Sequence, residues 1–172
     1  MSYKSILFGA AVALLAGSAV ADNAPPAGSG SIGELNFRFD SAALMANAPQ
    51  ALDKVVAYAS ANPSAKIVLD AHTDPIGASD YNVKLAIRRA ESVRAQLKEM
   101  GLAEDRIVFA IYGEDGARRA SYAGDRRVTI WSTREPLATV IDQTFARRGE
   151  AVTWQQPQTV AQIEGRNDVA AR

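Results

Sequence analysis

The stretch DAHTDPIGASDYN, Asp70 to Asn82, gathers three acids and the chain's single histidine around a Pro/Gly turn. Three chemistries could use such a set. Asp70, His72 and Asp74 alternate, so on a continuing strand they share a face and could hold a divalent ion. Transition-metal sites usually collect several His or Cys ligands, and this chain has one His and no Cys. A Ser–His–Asp arrangement needs a serine brought beside His72, and no G-x-S-x-G elbow is present. A glycosidase pair needs carboxyl groups roughly 5 to 9.5 Å apart. On an extended strand, Asp70 and Asp74 stand about 13 Å apart at roughly 3.3 Å per residue. The residues argue against metal and against catalysis, and predict a binding protein with no cofactor.

What remains is recognition of a charged ligand. A strand end, a tight turn and a helix start make a shallow polar pocket, where free backbone N–H groups attract anions and Asp74 attracts cations. The following segment, SDYNVKLAIRRAESVRAQLKEMG, reads as the strongest helix in the chain. At about 100° per residue, Val83, Ala86, Ile87, Ala90, Val93 and Leu97 form one apolar stripe. Arg88 lies almost opposite that stripe, in water. Arg89 lies on the flank, in line with Asn82, and can lean toward the turn. A structural salt bridge would account for one such arginine. An acid and an arginine framing one pocket also suit a zwitterion, with its ammonium on Asp74 and its carboxylate held bidentately by Arg89. Loss of either residue is then expected to abolish binding and leave the fold intact. His72 reads more simply, as a residue that with Thr73 satisfies the strand end by hydrogen bonds.

The elements that must position these residues are legible from periodicity. ELNFRFD alternates Leu35, Phe37 and Phe39 with polar neighbours, the pattern of a half-buried strand. PQALDKVVAYASANP places Leu52, Val55, Val56 and Ala59 at helical spacing and ends at Asn62-Pro63. AKIVLDAH is apolar and β-branched, a second strand. The long helix has Ser79 or Asp80 as its N-cap and Gly101 at its C-terminal stop. RIVFAIYG and RRVTIWS supply a third and a fourth strand. The predicted class is α+β, with two helices covering one face of a small sheet. PLATVIDQTFARRG, with Leu137, Val140, Ile141 and Phe145 in helical phase, either packs back on this domain or offers a face to a partner.

The N-terminus carries a different message. Lys4, the apolar run Ile6 to Leu15 and the Ala19-Val20-Ala21 cleavage pattern read as a secretory signal. The run falls short of the roughly 20 apolar residues that a membrane span needs. Export to the periplasm is the expectation. The absence of cysteine removes disulfides and a lipid-modified cysteine alike. A formal net charge of zero gives no sign of a nucleic-acid partner.

Several spaced motifs, agreeing in order, resemble one family. AHTDPIGASDYNVKLAIRRAESVRAQLKEMGLAEDRIVFAIYGE is similar to the hallmark segment of OmpA-like domains, which bind peptidoglycan without covalent attachment. FRFD resembles that family's first-strand motif, and DRRVTI its closing N-R-R-V strand. The resemblance runs from about Leu35 to Ile130. It implies a βαβαββ two-layer sandwich on a mixed sheet, a periplasmic role, and as ligand the meso-diaminopimelate of the peptidoglycan stem peptide. It also implies that Asp74 and Arg89 make the principal ionic contacts, and that Asp40, Asn82, Thr73 and Arg127 line the same site.

This sequence departs from the pattern at Ala71, at Ala86, and at Asp125, which stands where the family has asparagine. The loop from Glu114 to Gly124 is short and contains the basic pair Arg118–Arg119. Asp125 is expected to compete with Asp74 or to repel the ligand's carboxylate. The predicted division is a signal at 1–21, a leader at 22–31, the binding domain at 32–132 and an extension at 133–172. That extension holds one amphipathic helix at about 136–148 and a mobile tail. The alternative role is that of a periplasmic adaptor, contacting an envelope protein through that helix and tail.

Overall fold

The structure, a computed structural model, describes residues 30–115, 117, 121–147 and 149–153. The expected signal, the pair Arg118–Arg119 and the chain from Trp154 onward lie outside them. Along the chain run β1 (Gly30–Asn36), α1 (Ala48–Ala61), β2 (Lys66–His72), α2 (Ser79–Glu99) and β3 (Ile107–Gly113). They are followed by the single turn α3 (Tyr122–Asp125), β4 (Arg127–Thr133), α4 (Leu137–Ala146) and β5 (Glu150–Thr153). The strands form one mixed sheet in the order β1-β4-β2-β3-β5, in which only β2 and β3 pair in parallel.

The α+β layout of two helices on one face is present. Leu52, Val55 and Ala59 of α1 and Ile87, Val93 and Leu97 of α2 are buried in one core with the helix-facing strand residues. Alternation along β2 directs Ile67, Leu69 and Ala71 into that core and Val68 to the opposite face. At the far end of α1, Arg106 donates to the carbonyls of Ala59, Asn62 and Ala65, so one side chain satisfies several acceptors that a helix terminus leaves open. Among the described residues, no helix is long and apolar enough to cross a membrane.

The opposite face is also covered, which makes the sheet more than the expected two layers. Leu137 and Val140 of α4 pack on Val68, Val108, Ala110, Tyr112 and Trp131. Cover on both faces explains why β2 and β3 read as continuous apolar runs. Of the two readings left open for this helix, packing back is the one observed. A fifth strand, β5, then adds to β3, an element absent from the sequence-based layout. The chain reaches it through Gly149, where a Cβ would stand 2.6 Å from the Tyr112 ring.

Three smaller expectations need correction. Gly30 and Ser31, assigned to the leader, already pair with β4. The first strand ends at Asn36, so Leu35 and Phe37 are buried while Phe39 turns out, 57% exposed. The N-cap of α2 is Ala78, with no side-chain cap bond; Asp80 sits instead within the first turn, where its charge suits the helix dipole.

Candidate ligand-binding cleft

β2 delivers its last residues to the edge of α2. The Thr73 N–H donates to the Gly113 carbonyl at 2.7 Å, carrying the β2–β3 ladder past the end of β2. The chain then turns through Pro75 and Gly77. The φ of Gly77 is +111°, a conformation that favours glycine. This turn, the start of α2 and the segment after β1 enclose a cleft of about 190 Å³. Asp40, Asp74 and Asn82 line its polar side, and Phe39, Ile76, Tyr81 and Leu85 its apolar side.

Each polar group is held in place. Asp74 is 4% exposed; its Oδ1 accepts from the Ile76 N–H at 3.4 Å, and its Oδ2 lies 3.0 Å from Nη1 of Arg126. Asp40 adopts a positive φ of 51° and accepts a short hydrogen bond from the Tyr81 hydroxyl. That bond, together with burial and the Asp40 charge, raises the phenol above its ordinary range. Asn82 is buried; its Nδ2 donates to Glu114 at 2.5 Å, while its Oδ1 has no hydrogen-bond partner among the described residues. An acceptor left open in a buried wall carries a desolvation penalty that a ligand donor would relieve.

Arg89 stands behind this cleft rather than on its wall. It is 0% exposed, and Phe37 lies beneath its guanidinium at 5.2 Å. Nε donates to the Ser41 carbonyl at 3.0 Å, Nη1 to His72 at 2.8 Å and Nη2 to Arg38 at 3.3 Å. A guanidinium has five N–H donors, so one on each terminal nitrogen remains. Burial brings the group down to about 10, with the Asp74 charge opposing that shift; it stays protonated at neutral pH. The helical wheel set Arg89 on a flank, and the structure carries it further inward. Arg88 is not simply in water: its guanidinium lies over the Tyr81 ring at 5.5 Å.

Asp40, Asp74 and Asn82 come together in the cleft, with Arg89 behind them. Thr73 is fully buried and not on the cleft wall; its Oγ1 has no hydrogen-bond partner among the described residues. Arg127 is a correction. It is 1% exposed, with Nη1 3.7 Å from Asp125 and Nε 3.9 Å from Glu34. Val128 and Ile130 face the helix core while Trp131 packs under α4, so strand alternation sends Arg127 to the α4 face. The arginine that does reach the site is its neighbour Arg126. Arg126 stands one residue before β4, so only the point where that strand begins, and not the pattern of the arginine pair itself, tells the two apart. Asp125, fully buried and engaged with Arg127, does not line the cleft, so the expected competition with Asp74 does not arise.

A second polar group lies under α4. Trp131 Nε1 donates to Asp70 Oδ1 at 2.7 Å, and Arg147 Nη1 lies 3.7 Å from Oδ2. Burial raises Asp70 to about 6, against the opposing effects of Trp131, Arg147 and Arg127. His72 stacks on Tyr112 with centroids 4.9 Å apart, and Tyr112 carries the Arg147 guanidinium on its ring at 5.4 Å.

Residues 36–129 match the OmpA family. The chain is 31% identical over 147 residues to the peptidoglycan-associated lipoprotein of Haemophilus influenzae, across 74% of this chain and 95% of that protein. It is 33% identical over 100 residues to outer membrane porin F of Pseudomonas fluorescens, across 55% of this chain and 31% of the porin. The crystal structure of the peptidoglycan-associated lipoprotein from Burkholderia pseudomallei aligns with a TM-score of 0.54 at 28% identity, covering 59% of this chain and 90% of that one. The OmpA-like domain of FopA1 from Francisella tularensis has the same fold, with a TM-score of 0.53 at 20% identity over 58% of this chain and 69% of that domain.

Proposed function

The chain belongs to the OmpA family, and we propose that it is an exported, periplasmic, non-enzymatic protein that binds peptidoglycan without a covalent bond. The group recognised is the free zwitterionic end of meso-diaminopimelate in the stem peptide. The reading rests on one observation. Asp74 and Arg89 lie near enough for the carboxylate charge to act on the guanidinium, while Arg89 holds the His72 carbonyl at the end of β2 and Asp74 is paired instead with Arg126. The ligand's ammonium goes to Asp74, supported by Asp40 and the open Oδ1 of Asn82. Its carboxylate is drawn by the buried positive charge of Arg89. The relatives named for peptidoglycan association support the same reading.

Each contact of this kind contributes roughly 1.5 to 3 kcal/mol when net favourable, and the cleft offers few. A single site therefore binds weakly. Peptidoglycan repeats its stem peptides, so a released protein meets the next at high local concentration and is retained without tight affinity. The adaptor alternative is less well supported: Leu137 and Val140 of α4 pack against the sheet, which leaves Phe145 as the one largely exposed residue of its apolar stripe.

The test is co-sedimentation of the purified protein with washed sacculi, with and without free meso-diaminopimelate. Pelleting that the free amino acid reverses is the expected result. Protein that stays in the supernatant would overturn the proposal.

A further inference from the structure

Asp74 is paired within the chain, and its partner is held by fewer ties than Arg89. Arg126 Nη1 lies 3.0 Å from Oδ2. Two guanidiniums act on this one carboxylate, since Arg89 also feels both the Asp74 and the Arg126 charges. They are held very differently. Arg89 is fully buried and fixed by three backbone carbonyls. The Arg126 side chain keeps 18% of its exposure and has one further tie, from Nε to the Phe37 carbonyl at 3.2 Å. Arg126 is the group that can leave.

We propose that Arg126 holds, in the free protein, the place that the ligand's ammonium takes, and that binding is an exchange of ion pairs. The ammonium replaces the Arg126 guanidinium on Asp74. The displaced guanidinium turns to the ligand's carboxylate, beside the charge of Arg89. One internal pair becomes two intermolecular pairs, and no charge is left unmatched. This rests on the zwitterion reading above and adds its selectivity. A ligand with an amine and no carboxylate must displace Arg126 and leave it unpaired beside a second cation, which is strongly unfavourable where water is scarce. A ligand with a carboxylate and no amine has nothing to offer Asp74. A guanidinium suits the exchange, because its planar fork can regain a bidentate partner once moved. The internal pair thus acts as a filter for a zwitterion over either half of it.

Three probes that share one five-carbon run separate the terms: meso-diaminopimelate, pentane-1,5-diamine without its carboxylates, and heptanedioate without its amines. Their affinities are measured by NMR titration of the full chain. In the wild type, meso-diaminopimelate is expected to bind at least about tenfold more tightly than the diamine. In Arg126→Gln the diamine gains and the amino acid does not, so that preference falls by about fivefold or more. An unchanged ratio with binding intact would overturn the exchange and leave the zwitterion reading standing. No binding of meso-diaminopimelate by the wild type would remove the reading and the exchange together. A second readout needs no variant: the Arg126 Nε–H resonance is expected to move on saturation with meso-diaminopimelate and to stay in place with heptanedioate. A resonance unmoved by the amino acid would equally overturn the exchange.

Discussion

Nη1 of Arg89 donates to the carbonyl oxygen of His72 at 2.8 Å, tying the middle of α2 to the last residue of β2. The same guanidinium holds Ser41 and Arg38 of the segment after β1. Arg89 thus joins three parts of the chain and belongs to the fold as much as to the cleft.

Removing it is expected to do more than weaken binding, contrary to the sequence-based expectation that the fold survives. Arg89→Ala leaves three carbonyls without their donor and should lower stability by on the order of 3 kcal/mol, given about 1 to 3 kcal/mol for each unsatisfied buried group and partial rehydration. Urea unfolding measures this directly. A midpoint equal to that of the wild type would show that the carbonyls find other partners.

Arg88 offers the contrast one residue earlier. Its guanidinium covers the Tyr81 ring, and Tyr81 in turn holds Asp40. A cation–π contact at such a site contributes about 0.5–1 kcal/mol, so Arg88→Ala should weaken sacculus binding by roughly two- to fivefold. A loss as large as that in Arg89→Ala would show that Arg88 does more than cover the Tyr81 ring.

Asp70 gives the stability a pH dependence of unusual sign. Burial raises its carboxyl to about 6, above the roughly 3.9 of an unfolded aspartate. The native state holds the proton more tightly, so this contribution is fully present below about pH 4 and is lost as pH rises through 6. The size is on the order of 3 kcal/mol. Comparing unfolding midpoints of wild type and Asp70→Asn from pH 4 to 7 isolates it, since the other carboxylates are common to both. The difference between the two should grow toward neutrality, with Asp70→Asn the more stable. Parallel curves would contradict the assignment.

Truncation after Thr133 tests the second layer. It would uncover Val68, Val108 and Trp131, which α4 now buries. The shortened chain is expected to melt well below the intact one and to bind an apolar dye. Deleting the extension therefore cannot discriminate a wall binder from an adaptor. A truncated chain as stable as the intact one would show that α4 adds little to the core.

The helix-facing half of this fold was readable locally. Val83, Ala86, Ile87, Ala90, Val93 and Leu97 repeat with the period of a helix, and all of them pack on the core. The turn through Gly77 and the placing of Asp74 beside the start of α2 were equally local, because they depend on conformations that few residue types allow. The sheet's other face was not. Helix α4 is amphipathic wherever it goes; only the apolar surface of Val68, Val108 and Trp131, set by the pairing of β2, β3 and β4, fixed where it lies. Strand β5 has no strong pattern of its own and takes its register from β3.

The site divides along the same line. The sequence alone determined which residue types meet at the end of β2, and their order and spacing. Tertiary structure decided what each one does. Arg126 and not Arg127 reaches Asp74, because a strand residue's face is set by where the strand begins, and one step reverses it. Arg89 is buried and not exposed on a flank, because a guanidinium can enter a core once carbonyls from distant segments receive its protons. Those carbonyls belong to Arg38 and Ser41, about fifty residues away in the chain, and no local periodicity records them.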